Sequence, residues 1–302
     1  MPTNWKACAA ALGALFVIGC AHVAAEDAID AAQLMTDMTT LAADDMQGRG
    51  AGTPGGAAAA RYIIGRLEAI GYAPQPAPFS YQTRDNRSAS GVNIIARIEG
   101  RDSDPNGRVI VFTAHYDHLG VRDGEIHNGA DDNASGVAAL LAVAEALRKR
   151  PPQHDVIFVA FDAEEQGLRG ARAFVADPPA AKERLALNIN LDMVGRGDKG
   201  EIYIAGLAHY PQFAPVLKPL AERAPVKLLF GHDTPDWGQE DWTLQSDHAP
   251  FHQAGIPFVY FGVEGHADYH KPGDDAEKID PTFFAGAVRT ILMATRALDA
   301  AL

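Results

Sequence analysis

Histidine and acidic residues recur in short stretches that could bind metal or move protons: His115-Tyr116-Asp117-His118, the Asp131-Asp132-Asn133 run inside Gly129–Gly136, Asp162-Ala163-Glu164-Glu165, Asp192-Met193, and a loop carrying His266 and Asp268-Tyr269-His270. Taken singly, each has an ordinary explanation. A Glu-Glu pair usually opens a solvated helix, and Asp-Asp-Asn before a helix is a common N-cap run. The set is harder to dismiss, because most of these stretches directly follow short apolar runs. Carboxylates gathered at one sheet edge repel each other unless cations sit between them. Both cysteines, Cys8 and Cys20, lie in the first twenty residues, so a metal in the body of the chain must be held by His, Asp and Glu.

Strands and helices must alternate to bring those stretches together. Apolar runs at 92–98, 109–114, Asp155–Phe161, 187–191, 202–205, 226–230 and 257–262 have strand length. Helical spacing or helix signals occur at 28–41, 134–148, 169–175, 215–223, 247–254 and 281–302. Thr53 is placed to cap a further helix, with Pro54 at its first position, Ile70 near its end and Gly71 to stop it. The central strands are apolar on both faces. The pattern predicts an α/β fold, a three-layer αβα sandwich around a mostly parallel mixed sheet, in a single domain. In such sheets ligands bind beyond the carboxyl ends of the strands, where these polar stretches fall. The glycine-rich segment 48–56 superficially resembles a phosphate cradle but lacks the Gly-Lys-Ser/Thr ending.

Composition narrows the function classes. The 302 residues are 47% hydrophobic and 22% charged, an ordinary globular balance. Lys+Arg 26 against Asp+Glu 39 gives a net charge of −13, which argues against nucleic acid and acidic lipid surfaces as partners. Lys6 precedes an apolar stretch, 7–19, that is shorter than a spanning helix and ends in small residues. Residues 1–25 are therefore expected to be an export signal, leaving 26–302 as the mature domain, periplasmic or secreted. Two cleavage readings compete: before Glu26, after Val23-Ala24-Ala25, or at a lipobox, Val17-Ile18-Gly19-Cys20, which would leave a lipid anchor on Cys20. No second apolar run is long enough to span a membrane.

The ordered stretches 113–120, 128–136, 161–170, 190–195, 246–260 and 269–274 resemble the bacterial leucyl aminopeptidase family of two-zinc exopeptidases, which also includes glutamate carboxypeptidases and glutaminyl cyclases. The resemblance covers nearly all of the mature chain. It implies two Zn²⁺ per chain, one held by His115, Asp192 and a bridging Asp131, the other by Glu165, His270 and the same Asp131. It makes Glu164 the general base and Asp117 the group that accepts a hydrogen bond from the far nitrogen of His115. It also implies a cis Asp131–Asp132 bond. The charges agree: three carboxylates and one hydroxide balance two zinc ions, and two imidazoles favour zinc over magnesium.

Other residues compete for these roles. His118, His127, His248 and His266 lie near the same stretches, and His248 reads as a helix-start residue away from metal. Segment 230–245, with Trp237 and Trp242, either walls a substrate pocket or forms a long surface loop. The leading expectation is an aminopeptidase acting on peptides with a free N-terminus. A one-zinc glutaminyl-cyclase-like acyltransferase is the alternative, although Tyr269 stands where the cyclases are expected to carry tryptophan. A carboxypeptidase needs arginines to seize the substrate carboxylate, for which Arg169 and Arg196 are the candidates. A non-catalytic module on this fold would have lost Glu164 or a ligand, and none is lost.

Overall fold

The computed structural model describes residues 28–302 apart from Arg84, Ser103, Pro105 and Asn106. The expected export segment, with Cys8, Cys20 and both cleavage positions, lies outside the described residues. Among the described residues no helix is long and apolar enough to cross a membrane.

The strands are β1 (Gln75–Gln82), β2 (Ser88–Ile98), β3 (Val109–His115), β4 (Gly120–Arg122), β5 (Glu125–His127), β6 (Asp155–Phe161), β7 (Leu185–Leu191), β8 (Glu201–Ala205), β9 (Lys227–Phe230) and β10 (Phe258–Gly262). Eight of them form one sheet in the order β1-β2-β6-β3-β7-β10-β8-β9. The inner pairs β6/β3, β3/β7 and β7/β10 are parallel, while β1/β2, β2/β6 and β10/β8 are antiparallel. This is the mostly parallel mixed sheet expected from the apolar strands.

Period-two side-chain alternation buries both faces. Ile110, Phe112, Val156 and Phe158 enter one core; Val109, Val111, Ile157, Val159 and Phe161 enter the other. The first face carries α1 (Ala31–Leu41), α2 (Pro54–Ile70), α3 (Gly136–Lys149) and α7 (Pro281–Ala301). The second carries α4 (Arg169–Ala176) and α6 (His248–Gln253); a short α5 (Ala214–Leu217) lies before β9. Helix α3 is buried on nearly every side, as its all-round apolar sequence requires.

Caps set the helix bounds. The Thr53 hydroxyl accepts the Gly56 N–H at 3.2 Å, and Gly71 closes α2 with φ 97. Helix α1 starts at Ala31 rather than at 28, because the Asp30 carboxylate accepts the N–H groups of Ala32 and Gln33. Strand β1 was not expected. Its Pro76 and Pro78 read against a strand, yet an edge strand tolerates proline because one side of its ladder is unpaired. The β4–β5 hairpin was also missed, although Asp123-Gly124, with φ 53 and 85, carries the sequence signal of a tight hairpin turn.

Candidate active site

Strands β3, β6, β7 and β10 run parallel and end together, so the segments that follow them meet at one sheet edge. His115 closes β3, Glu164 and Glu165 follow β6, Asp192 follows β7, and the loop with His266 and His270 follows β10. Two donor groups form there. In one, His115 Nε2 lies 3.4 Å from Asp132 Oδ1 and 3.3 Å from Asp192 Oδ1. In the other, Asp132 Oδ2 and Glu165 Oε1 face His270 Nε2 at 3.1 and 3.5 Å and His118 Nδ1 at 3.7 and 2.9 Å. Both oxygens of Asp132 are engaged, one toward each group. Glu165 Oε1 and both ring nitrogens of His118 are buried without a hydrogen-bond partner. Orphaned donors facing carboxylates at this spacing fit cations held between them, and mixed imidazole–carboxylate sets suit zinc.

Asp131 is therefore corrected: its neighbour Asp132 occupies the shared position. The non-proline cis bond is Asp132–Asn133 rather than Asp131–Asp132, and the two adjacent carboxylates meet different partners. Asp131 Oδ1 accepts the N–H groups of Gly195 and Arg196 at 2.8 and 3.0 Å, and its Oδ2 lies 3.3 Å from His266 Nε2. Asn133 and Ser135 act on the same loop. Asn133 donates to Leu191 O and accepts from Met193 N, and the Ser135 hydroxyl accepts from Val194 N. The segment thus templates the backbone around Asp192. Asp274, which sequence reasoning missed, accepts the N–H groups of Asp131 and Asp132.

Asp117 also differs from expectation. Its backbone carbonyl, not its carboxylate, faces His115 Nδ1, at 3.1 Å; the nearest carboxylate contact is 3.8 Å. A ring nitrogen so placed donates N–H to the carbonyl and leaves Nε2 free as a ligand. The Asp117 carboxylate instead accepts Glu164 N at 2.9 Å and Glu165 N at 3.3 Å, fixing the turn that presents both glutamates.

Beneath the site lies the fully buried Arg49, which sequence reasoning did not single out. Its guanidinium donates to the carbonyls of Leu41, Tyr116, Asn128 and Gly129 at 2.6–2.8 Å. It ties the end of α1 to the segments carrying His115–His118 and Asp131–Asp132. Burial lowers its pKa to about 10, against the pull of Asp132, Asp274 and Asp117, so it stays charged at neutral pH.

The carboxylates respond to position. Burial holds Glu164 well above the ordinary carboxylate range; Asp247 and Asp192 add to the shift, and His115 opposes it. Burial likewise raises Asp192, against His115. Burial would raise Glu165, but the imidazoles of His118 and His270 facing its carboxylate override it and lower the pKa. Burial alone would lower His270; contact with Asp132 and Glu165 instead pushes it up to about 10. His248 is buried with Nε2 toward Trp242 O at 2.8 Å, away from the donor groups as expected. His127 is buried outside them.

The groups open into a cleft of about 410 Å³. Its inner wall holds His115, Asp132, Glu164, Glu165, Asp192 and His270. Gln239, Glu240, Trp242, Leu244 and Gln245 supply another wall, so the 230–245 segment does line the pocket. His232, stacked 3.7 Å from Trp242 and 4.1 Å from Trp237, anchors it and faces Glu240 O at 2.8 Å. Among the described residues, no Arg or Lys lines the cleft. Arg196 is committed to Asp198 and Asp268, and Arg169 lies over the Tyr81 ring.

Comparison with known proteins follows the same outline. Residues 93–295 match the family model described as Peptidase family M28. The chain is 32% identical over 248 residues to leupeptin-inactivating enzyme 1 of Streptomyces exfoliatus, covering 81% of this chain and 50% of that protein. It is 33% identical over 182 residues to aminopeptidase YwaD of Bacillus subtilis, covering 57% and 37%. The chain thus spans half or less of the length of these relatives. Among solved structures, a zinc aminopeptidase from Bacillus subtilis superposes with TM-score 0.74 at 18% identity, covering 88% of this chain and 95% of that one. A Porphyromonas gingivalis glutaminyl cyclase does so with TM-score 0.74 at 21% identity, covering 91% and 99%. At those identities the likeness concerns the fold.

Proposed function

The chain belongs to peptidase family M28, and on that premise we propose that it is a two-zinc aminopeptidase that removes the N-terminal residue from peptides. The observation that carries this reading is a cleft in which Glu164 and two histidine–carboxylate groups converge with no Arg or Lys among its described lining residues. A free α-ammonium group suits such a wall; a C-terminal carboxylate does not. The carboxypeptidase alternative loses its support here, since Arg169 and Arg196 are both absent from the lining.

In this reading Asp132 is shared, His115 and Asp192 complete one site, and Glu165 and His270 belong to the other. The zinc pair, when bound, polarises the scissile carbonyl and acidifies the attacking water. Glu164 takes the proton from that water and returns it to the leaving amine. It can do so because neither donor group uses it, while the Asp117 carboxylate holds its backbone in place. The tautomer of His115 is set by the Asp117 carbonyl. The exposed side chains of Leu244 and Tyr269 at the mouth offer apolar surface to the substrate.

A peptide panel with zinc analysis tests the reading. Free N-termini should be shortened by one residue and acetylated ones left intact, with two zinc ions per active chain and loss of activity on chelation. Equal cleavage of acetylated peptides would refute an aminopeptidase. Cyclised N-terminal glutamine without chain shortening, at one zinc per chain, would establish the acyltransferase alternative.

Export belongs to the same proposal and rests on the sequence of residues 1–25. Protein from the native host should begin at Glu26 or at lipid-modified Cys20. An intact Met1 on that protein would rule out both cleavage routes.

A further inference from the structure

We infer that His118 is a direct metal ligand, giving the second site four protein donors, Asp132, Glu165, His270 and His118, against three at the His115 site. This rests on the two-metal reading above and adds a donor that the family resemblance does not supply.

Distance is the first argument. Ligand atoms about 2.1 Å from one tetrahedral ion lie about 3.4 Å from each other. His118 Nδ1 stands 2.9 Å from Glu165 Oε1 and 3.7 Å from Asp132 Oδ2, and His270 Nε2 stands 3.5 and 3.1 Å from the same atoms. The two imidazoles therefore address one carboxylate pair at matching range. Hydrogen bonding is the second argument. Despite the 2.9 Å approach, His118 Nδ1 and Glu165 Oε1 lack hydrogen-bond geometry, and both atoms are buried without a hydrogen-bond partner. Such atoms carry a cost unless something between them satisfies both.

The ring is also held where it is. Gly129 has φ +56, and a Cβ there would come within 2.5 Å of His118 Cγ and Cδ2, so the glycine makes room for the imidazole. The backbone beside it is tied down through Arg49, which binds the Tyr116 and Gly129 carbonyls and accepts His118 N at 3.4 Å. His270, by contrast, is 40% exposed in its side chain and stacks on Tyr269. His118 thus supplies a preformed, buried donor. Four protein ligands close a site, whereas three leave a position open. The asymmetry assigns the open position to the His115 site, beside Glu164 and Asp192.

The test uses the zinc-free protein reloaded with Zn²⁺ or Co²⁺. His118→Asn keeps an N–H near the position of Nδ1 but removes the imidazole ligand. The parent protein should bind two ions and, with Co²⁺, show three hyperfine-shifted, solvent-exchangeable imidazole N–H resonances by NMR. The variant should show two, with second-site zinc affinity lowered more than about 100-fold, beyond the 10–100-fold typical of a group that only orients a ligand. Two Co²⁺ ions with two resonances in the parent protein would overturn the assignment and leave the two-metal reading intact. Uptake of a single ion at saturation would overturn both. If the variant does not fold, the resonance count of the parent protein still decides.

Discussion

Glu164→Gln is expected to lower kcat by about 10²–10⁴-fold while zinc content and fold stay unchanged. Glutamine keeps the shape but cannot accept the water's proton. The group is asked to act twice, on the water and on the leaving amine, so the loss belongs at the upper end of that range. The structure explains why metal should remain: Glu164 is in neither donor group, and what positions it is a bond to its backbone N–H from Asp117, which the substitution leaves untouched. Glu165→Gln supplies the contrast. Its Oε1 faces both His118 and His270, so this change should reduce metal occupancy first, with activity following occupancy. Steady-state kinetics with zinc analysis on both variants separates the roles. Near-normal turnover in Glu164→Gln, or metal depletion equal to that of Glu165→Gln, would reverse the assignment.

Arg49→Met should destabilise the fold by about 3–5 kcal/mol, a large share of the 5–15 kcal/mol available to a typical domain. Methionine fills much of the volume but donates nothing, so the carbonyls of Leu41, Tyr116, Asn128 and Gly129 each lose a charged donor. Two of those carbonyls lie in the segment that leads into Asp131–Asp132, and a third lies between His115 and Asp117. Metal uptake should therefore weaken together with stability. Arg49→Lys should fall between the two, because one ammonium cannot reach four carbonyls spread around a planar fork. Urea unfolding of the metal-free chains and zinc titration provide the measurements. A methionine variant within about 0.5 kcal/mol of the parent protein, with unchanged zinc affinity, would show that Arg49 does not hold the site together.

The separate fates of Asp131 and Asp132 show where legibility in the sequence ended. The run Asp131-Asp132-Asn133 marked the right turn, and its place before the buried α3 was plain from apolar spacing. Two adjacent aspartates are chemically identical, however, so residue type and spacing do not distinguish which of them faces both donor groups. Only the folded path of the turn sends one carboxylate toward His115, His118 and His270 and the other to the N–H groups of Gly195 and Arg196. Asp117 makes the same point. Its spacing from His115 was informative, but whether carbonyl or carboxylate meets the ring depends on backbone torsion. Arg49 and Asp274 left no local signal, since their partners lie 143, 79 and 67 residues away, among other spacings.

The sequence alone determined what short-range physics controls. Apolar runs buried on both faces specified the inner strands, Thr53, Pro54 and Gly71 specified α2 through its end groups, and acids placed just after strands specified which sheet edge carries the chemistry. Glu164, Glu165, His115, Asp192 and His270 all reach that edge. Tertiary structure decided what depends on convergence: which of two aspartates faces both donor groups, that His118 faces the same carboxylate pair as His270, that side chains from 239–245 wall the cleft, and that no described arginine lines it. The division has a physical cause. Helix caps and side-chain alternation are set by interactions within a few residues. The direction of a carboxylate in a turn is set by hydrogen bonds to segments that the fold alone makes neighbours.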